Sequence, residues 1–278
     1  MITVIGLGFV GLSTVFNFCY LENKKVYGYD LDKVKINDLK CKKMYLYESE
    51  FSNMLDSSLN KTFFPVNNLD CIKESDYIFI CVNTNQKKDG NVDLSCIFNS
   101  IDQVLSNYDK SKYRVIIIKS SVPPTTTKLQ IIPYIESKGL IVGKDIGVAN
   151  NPEFLREGYC YYDIKNVDRI VIGTNDIKTK NKMNDLYKKN KDIIFNASLN
   201  TCEFVNYLSN SMLATMISFS NEMASIALAI DDVDIASSFK ILHKDKRWND
   251  CNMKSYIYIQ DVDMEVIAYL KIPMLYMM

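Results

Sequence analysis

The chain has 278 residues, of which 47% are hydrophobic and 24% charged, as is ordinary for a globular protein with one large domain or two smaller ones. Basic and acidic side chains balance at 33 each, so no net charge favours nucleic acid or an anionic membrane as a partner. The eight cysteines include no CxxC pair. We therefore expect neither a metal site nor a disulfide framework, and reduced thiols favour a cytoplasmic location.

The first 20 residues are largely apolar, but they lack a basic start and a small-residue cleavage site, and glycines interrupt them. We interpret them as a strand, a turn and a helix rather than as a signal sequence. No uninterrupted apolar run reaches the length that spans a bilayer, so we expect no membrane partner.

Over residues 1–197, short apolar runs alternate with segments of helical period. The predicted strands are residues 2–5, 25–29, 77–82, 114–119, 146–149 and 169–172. The predicted helices between them include residues 11–21, 94–105 and 126–135. This alternation is typical of an α/β fold with a doubly wound, parallel, Rossmann-type sheet.

From residue 199 to residue 230 the pattern changes to one long helix without Pro or Gly. After residue 245 it becomes irregular, so we expect a short, helical and partly irregular end. We place a domain boundary near residue 198, which gives a Rossmann domain over residues 1–197 and a helical domain over residues 198–278.

Three glycines, Gly6, Gly8 and Gly11, join the first strand to the first helix. The first allows a tight turn, the second lets the backbone approach a pyrophosphate, and the third lets helix and strand pack closely. Asp30 follows at the end of the second strand, where a carboxylate binds a ribose 2′-hydroxyl and repels a 2′-phosphate. This pattern favours NAD over NADP, and the alternative is an Asp that caps the next helix.

Five further strings follow in order. They are CVNTN at residues 81–85, DGNVDLS at 89–95, KSSVPPTTT at 119–127, NPEFLREG at 151–158 and DRIVIG at 168–173. In this order and spacing, over about residues 1–247, the chain resembles the UDP-glucose/GDP-mannose dehydrogenase family. NPEFLREG is the most specific string, and DRIVIG looks most like the UDP-glucose branch.

The resemblance implies NAD-dependent oxidation of a nucleotide-sugar C6 alcohol to a carboxylate, with UDP-glucose favoured as substrate. It implies a central helical domain, which would be truncated here, followed by a second nucleotide-binding domain before which the chain ends. It also implies a homodimer formed through the long central helix.

The resemblance further implies site residues by position. The cofactor-binding residues would be Gly6, Gly8, Phe9, Val10, Gly11, Asp30, Lys35, Thr84, Ser121 and Glu157. The catalytic residues would be Glu153, which activates a hydrolytic water, Ser121, which helps to hold that water, and Asn210, which stabilises an oxyanion. The substrate-binding residues would be Phe154, Leu155, Arg156, Asn210 and Arg247. The alternative for Glu153 and Glu157 is a capped loop or a surface salt bridge, and Arg247 could equally be a solvated surface cation.

Three departures from the family pattern bear on the chemistry. Asn206 stands where the family has a Lys on the central helix, and an amide carries no charge for an oxyanion. The family's glycine-rich loop with its catalytic Cys has no counterpart, because no Gly follows Gly173 and Cys251 lacks the loop around it. Thr125 replaces a Gly, which predicts that its turn no longer requires a positive φ.

These departures predict that full oxidation by this chain is impaired or absent. The alternative is a non-catalytic module that binds NAD or a nucleotide sugar, or a partner subunit of a full-length homologue. A third alternative is a two-electron dehydrogenase of the hydroxyacid type, against which Asn206 argues, because those enzymes also favour a Lys on this helix.

Overall fold

The computed structural model describes residues 1–245, and these residues contain one mixed sheet of eight strands. The strands are β1 (Ile2–Ile5), β2 (Val26–Tyr29), β3 (Phe63–Val66), β4 (Tyr77–Ile80), β5 (Val115–Ile118), β6 (Gly147–Asn150), β7 (Ile170–Gly173) and β8 (Ile194–Ala197). Their order across the sheet is β3-β2-β1-β4-β5-β6-β7-β8. The doubly wound α/β sheet expected from the sequence is confirmed.

Helices follow most of the strands. They are α1 (Phe9–Phe16), α2 (Lys33–Lys40), α3 (Phe51–Ser58), α4 (Ser95–Ser106), α5 (Ile132–Ser137), α6 (Cys160–Lys165), α7 (Ile177–Leu186), α8 (Leu199–Ala229) and α9 (Ile235–Leu242). Wider π-helical turns continue α1 over Asn17–Leu21 and precede α5 over Thr127–Ile131. Short 3-10 turns cover Asp70–Lys73 and Lys188–Ile193.

The sheet separates two hydrophobic cores, because alternate residues of each strand face opposite sides. In β4, Phe79 belongs to the core that includes α1 and α3, whereas Ile78 and Ile80 belong to the core that includes α4. Strands β1 and β5 are buried along their whole length. Their continuous apolar runs are what a parallel sheet covered on both faces requires.

The six strands predicted from the sequence are present, with ends that differ by at most two residues. The two edge strands, β3 and β8, were not predicted from the sequence. β3 contains Pro65, which a strand tolerates at an edge because its missing N–H is not needed there. β8 is only partly buried, so its side chains show no strong apolar pattern.

One strand pair is antiparallel, namely β6 with β7, while the other neighbours run parallel. An antiparallel neighbour can be reached without crossing the sheet. The connection over residues 151–169 therefore begins and ends at the carboxyl edge. The strand order also changes direction between β1 and β4, since β2 and β3 lie to one side of β1 and the later strands lie to the other side. Open α/β sheets bind ligands at such a position, at the carboxyl edge.

The chain divides into two compact units, Met1–Tyr207 and Leu208–Met278. The division falls within α8, whose observed range agrees with the long helix predicted from the sequence. In the second unit, Asp234 caps α9 by accepting hydrogen bonds from the amides of Ala236 and Ser237.

Among residues 1–245, α8 is the helix that is long and apolar enough to cross a membrane by length and composition. A core helix of a soluble protein can meet the same criterion. The expectation of no membrane partner therefore stays a prediction, as does that of no nucleic-acid partner.

Candidate dinucleotide-binding site

The loop between β1 and α1 has the geometry that its glycines predict. Gly6 has a φ of 87°, and a Cβ there would lie 2.6 Å from the carbonyl oxygen of Cys81. A Cβ on Gly11 would overlap the carbonyl oxygen of Gly6, whereas a Cβ on Gly8 would meet nothing within 4 Å. Packing thus requires Gly6 and Gly11, and the open space at Gly8 leaves room for a diphosphate beside the first amides of α1.

Asp30, directly after β2, is bonded to this same loop. Its Oδ2 accepts a hydrogen bond from the backbone N–H of Leu7 at 2.8 Å and lies 3.6 Å from Lys35 Nζ. Its Oδ1 accepts from the N–H of Asp32 at 2.9 Å. The cap of α2 is Asp32, whose Oδ1 accepts from the N–H of Val34. Asp30 therefore fixes the glycine loop, and its lone pairs beyond these bonds could accept from a ribose hydroxyl.

A pocket of about 200 Å³ opens at the carboxyl ends of β1, β4 and β5. Its lining residues are Gly8, Phe9, Val10, Cys81, Val82, Asn83, Thr84, Lys119, Ser120, Ser121 and Glu153. Six residues predicted from the sequence are thereby brought together, namely Gly8, Phe9, Val10, Thr84, Ser121 and Glu153. The size and position suit the nicotinamide end of a dinucleotide whose diphosphate lies at the start of α1.

Hydrogen bonds hold the loop after β5 against the loop after β4 and against α8. Thr84 Oγ1 donates to the carbonyl oxygen of Ser121 at 2.9 Å, and Ser120 Oγ donates to that of Val82 at 2.6 Å. Asn206, which is 3% exposed, donates from Nδ2 to Ser121 Oγ at 3.0 Å. Ser121 is therefore fixed through both its backbone and its side chain.

Lys119 is the cationic side chain among the lining residues. Its ammonium donates to the carbonyl oxygen and to Oδ1 of Asn151, both at 3.3 Å, and to the carbonyl oxygen of Pro152 at 3.4 Å. Burial lowers the pKa of Lys119, while the negative charge of nearby Glu153 acts in the opposite direction. The ammonium thus ties the end of β5 to the segment that carries Glu153.

The segment after β6 is held by one hydrogen bond of its own and by two hydrogen bonds to the carboxylate of Glu48. Glu153 is partly buried, and its Oε2 accepts from the N–H of Leu155 at 2.7 Å. Glu48 Oε1 accepts from the N–H of Gly158 at 2.6 Å, and its Oε2 accepts from the N–H of Cys160 at 3.2 Å. Glu153 therefore caps its loop, as one of the alternatives from the sequence expected, and it also lines the pocket, where its catalytic role stays a prediction.

The remaining residues predicted in this segment lie outside the pocket lining. Phe154 lies under the guanidinium of Arg169, with 3.9 Å between the guanidinium carbon and the ring centroid. Leu155 packs against the core, and Arg156 forms an ion pair with Asp163 at 2.7 Å. Glu157 is exposed.

Three residues considered in the sequence analysis lie beyond the first unit or beyond the described residues. Asn210 lies on α8 in the second compact unit. Arg247 and Cys251 lie outside the described residues, so the roles considered for them stay predictions.

The expectation about Thr125 is wrong. Its φ is 78°, so the turn keeps a positive φ although its residue is no longer glycine. The buried carboxylate of Glu203, 1% exposed, holds this turn, with Oε1 accepting from the N–H of Thr127 at 2.8 Å. The amides of Thr125 and Thr126 also lie close enough to lower the pKa of Glu203, although burial outweighs them and raises it. These contacts stabilise a conformation that a β-branched residue disfavours.

Sequence reasoning assigned no role to Lys119, Cys81 or Glu203. In the structure Lys119 and Cys81 directly follow the ends of β5 and β4, whereas the predicted strands included both residues, so their position at strand ends was not recognised. Burial raises the pKa of the Cys81 thiol to about 12, so this cysteine is protonated at neutral pH. The contact of Glu203 with Thr127 joins residues far apart in the chain, and no local pattern indicates it.

Comparison with known proteins agrees with this geometry. Residues 1–191 match the NAD-binding domain of the UDP-glucose/GDP-mannose dehydrogenase family, and residues 200–257 match that family's central domain. The chain belongs to the UDP-glucose/GDP-mannose dehydrogenase family. Its first domain is thus the family's NAD-binding domain, as the glycine loop and Asp30 predicted.

Individual relatives support the same assignment. The chain is 37% identical to a UDP-glucose 6-dehydrogenase of Rickettsia conorii over 228 residues, which cover 81% of this chain and 51% of that protein. A ternary complex of GDP-mannose dehydrogenase from Pseudomonas aeruginosa superimposes with a TM-score of 0.84 at 27% identity, covering 91% of this chain and 58% of that one.

A UDP-glucose dehydrogenase from Pyrobaculum islandicum gives a TM-score of 0.80 at 30% identity, covering 88% of this chain and 57% of that one. The chain thus spans about half the length of the dehydrogenases that it matches.

Proposed function

We propose that the chain is an NAD-dependent oxidoreductase of nucleotide sugars, with UDP-glucose as the favoured substrate. The observation that carries this proposal is the continuity of two sites along one sheet edge. Asp30 and the glycine loop lie at one end, and the pocket with Thr84, Ser121 and Glu153 lies beside them. A dinucleotide bound along this edge would have its adenosine ribose at Asp30 and its reactive ring in the pocket.

For binding, we propose the cofactor contacts expected from the sequence, with Lys35 beside Asp30 and with Glu157 at the nicotinamide side. NAD supplies the hydride acceptor for oxidation of an alcohol. Phe9 and Val10 follow Gly8 at the start of α1 and line the pocket, so we propose that they contact the nicotinamide end of the cofactor. Thr84 fixes the wall that carries Ser121.

For chemistry, we propose that Glu153 accepts a proton from water in the pocket, with the Ser121 hydroxyl orienting that water. Asn210 would donate a hydrogen bond to a developing oxyanion. We further propose that residues 154–156 lie along the sugar nucleotide together with Arg247. Because the Arg156 guanidinium forms an ion pair with Asp163, we propose that the backbone of this segment, rather than that guanidinium, contacts the sugar nucleotide.

A second candidate function, a non-catalytic module that binds NAD or a nucleotide sugar, is favoured by two observations at the pocket. The side chain at position 206 is a neutral amide engaged with Ser121. Cys81, the thiol among the lining residues, has a pKa raised to about 12 and is a poor nucleophile. In the described residues the pocket thus contains neither a Lys from α8 nor a thiolate.

We also propose the domain division at residues 197 and 198, a cytoplasmic location, and a homodimer formed through α8. Within the second unit, α8 exposes apolar side chains, among them Leu208, Leu213, Phe219, Ile226 and Leu228. Burying such exposed apolar side chains against a second copy of the chain would lower the free energy of the assembly. Light scattering of the purified chain measures its mass directly, and a monomer at all concentrations would contradict the dimer.

The experiment that tests the proposed function has two stages. Fluorescence titration with NADH tests binding, and absence of saturable binding to folded protein would refute both the oxidoreductase and a module that binds NAD, leaving only a module that binds a nucleotide sugar. NADH formation on addition of NAD and UDP-glucose, with GDP-mannose as the matched control, then separates the enzyme from the module. The ratio of NADH formed to sugar consumed distinguishes two-electron from four-electron oxidation.

A further inference from the structure

The direction of the hydrogen bond between Asn206 and Ser121 determines which groups the Ser121 hydroxyl can bind in the pocket. Asn206 Nδ2 is the donor, so Ser121 Oγ is the acceptor in this bond. A serine hydroxyl has one proton and two lone pairs. When α8 occupies a lone pair, the proton of Ser121 remains for an acceptor elsewhere, and Ser121 lines the pocket.

The position of the Ser121 hydroxyl is fixed from several sides. The carbonyl group of Ser121 accepts from Thr84 Oγ1 at 2.9 Å, which holds the backbone. One turn before Asn206 on α8, Glu203 holds the far end of the same loop through the N–H of Thr127. Residues 203 and 206 lie three apart and therefore share one face of the helix. The loop from Ser121 to Thr127 is thus bound to α8 at both ends.

We propose that Asn206 is a positioning residue that orients the Ser121 hydroxyl as a hydrogen-bond donor toward the nicotinamide end of the cofactor. The acceptor chemistry that suits this donor is a carbonyl oxygen, such as that of the nicotinamide carboxamide. This inference rests on the proposed binding of NAD(H) in the pocket. It assigns to Asn206 a role that depends on its amide donor and needs no charge.

The decisive variant is Asn206→Asp, because it retains the shape of the side chain and replaces its donor by an acceptor. Ser121 would then donate to the introduced carboxylate, and its proton would no longer serve the pocket. Loss of one hydrogen bond to the ligand should weaken NADH binding by about tenfold. ADP-ribose lacks the nicotinamide, so its affinity should change by less than about twofold, since it makes no contact with this hydroxyl.

A double-variant cycle separates orientation of Ser121 from a direct effect of the new charge. In a Ser121→Ala background, Asn206→Asp should have no further effect on NADH affinity, because the group through which it acts is gone. Asn206→Ala should give an intermediate loss, since the hydroxyl can then rotate freely. Asn221→Asp, an exposed position on the same helix, is the matched control and should leave both affinities unchanged.

The outcomes are distinguishable. Binding of neither ligand to the unaltered chain would refute the proposed function itself. Binding of NADH by the unaltered chain, with equal losses of NADH and ADP-ribose affinity in Asn206→Asp, would overturn the inference. So would an effect of Asn206→Asp that persists in the Ser121→Ala background. Thermal unfolding of each variant checks that the comparison is made on folded protein.

Discussion

Replacing Asp30 by Ala tests the ribose contact at the end of β2. The side chain is 12% exposed and accepts hydrogen bonds from the N–H groups of Leu7 and Asp32 at 2.8 and 2.9 Å. A hydrogen bond to an ionised group contributes about 1.5–3 kcal/mol, so loss of one ribose bond should raise the NADH dissociation constant by about tenfold or more. The unbonded amide of Leu7 would loosen the glycine loop and add to this loss.

The neutral variant Asp30→Asn tests discrimination between the two dinucleotides. A carboxylate and a 2′-phosphate about 4 Å apart repel by about 4 kcal/mol per charge at an effective dielectric constant of 20. The unaltered chain should therefore bind NADPH at least about tenfold more weakly than NADH. Asp30→Asn should narrow this ratio, because it removes the charge and retains an oxygen acceptor.

Fluorescence titration with NADH and NADPH measures both effects on one sample. Asp32→Asn is the matched control, because Asp32 lies two residues away and caps α2. That change should lower the free energy of unfolding by at most about 1 kcal/mol and leave the ratio of the two affinities unaltered. Unchanged NADH affinity in folded Asp30→Ala protein would refute the assignment of Asp30 to the ribose.

Three further predictions concern buried or paired charges. Arg114→Met should lower the free energy of unfolding in urea by about 3 kcal/mol, because the fully buried guanidinium donates to the carbonyl oxygens of Ile72, Lys73, Asp109 and Lys112. An unchanged urea midpoint in Arg114→Met would contradict a stabilising role of this guanidinium. Partial burial raises the pKa of Asp76, but hydrogen bonds and charges of Lys112 and the α-amino group outweigh it and leave the pKa below its ordinary value. The stabilisation is therefore present above pH 3.8 and is lost as the pH falls through the folded pKa. Asp76→Asn should lower the melting temperature at neutral pH but not in strong acid, and an equal loss at both would argue against an ionic role. For Glu203 the pH dependence of stability has the opposite sign, because burial raises the pKa despite the hydrogen bond from Thr127. The contribution of Glu203 to stability is fully present below pH 4.5 and declines as the pH rises through the folded pKa. Glu203→Gln should flatten this decline in urea midpoints measured from acidic to neutral pH, and an unaltered slope would exclude Glu203 as its cause.

The fold was largely predictable because its strongest signals are local. Buried parallel strands such as β5 are continuous apolar runs, and α8 is a long helical stretch without Pro or Gly. The edge strands β3 and β8 gave no such signal, because half-exposed strands are under weaker constraint to be apolar. The antiparallel direction of β7 could not be read from its residues, since it depends on how the preceding connection returns to the sheet.

The candidate site was predictable where one backbone conformation demands one residue type. Gly6 and Gly11 belong to this class, because any side chain there would collide with backbone. Thr125 shows the limit of that reasoning. A positive φ persists there without glycine because Glu203, distant in sequence, binds the turn. Tertiary contacts can thus stabilise a conformation that the local sequence disfavours.

The pocket also shows why binding and chemistry can diverge within one family. Holding a dinucleotide depends on backbone amides, close packing at glycines and one carboxylate, all of which occur in the described residues. Oxidising a sugar to a carboxylate requires charge that stabilises an oxyanion and a nucleophile that is ionised at neutral pH. Asn206 supplies no charge, and the thiol of Cys81 is protonated at that pH. Because the hydrogen bond of Asn206 still positions Ser121, we expect this pocket to bind the cofactor and to catalyse the chemical step more slowly than a pocket that contains both groups.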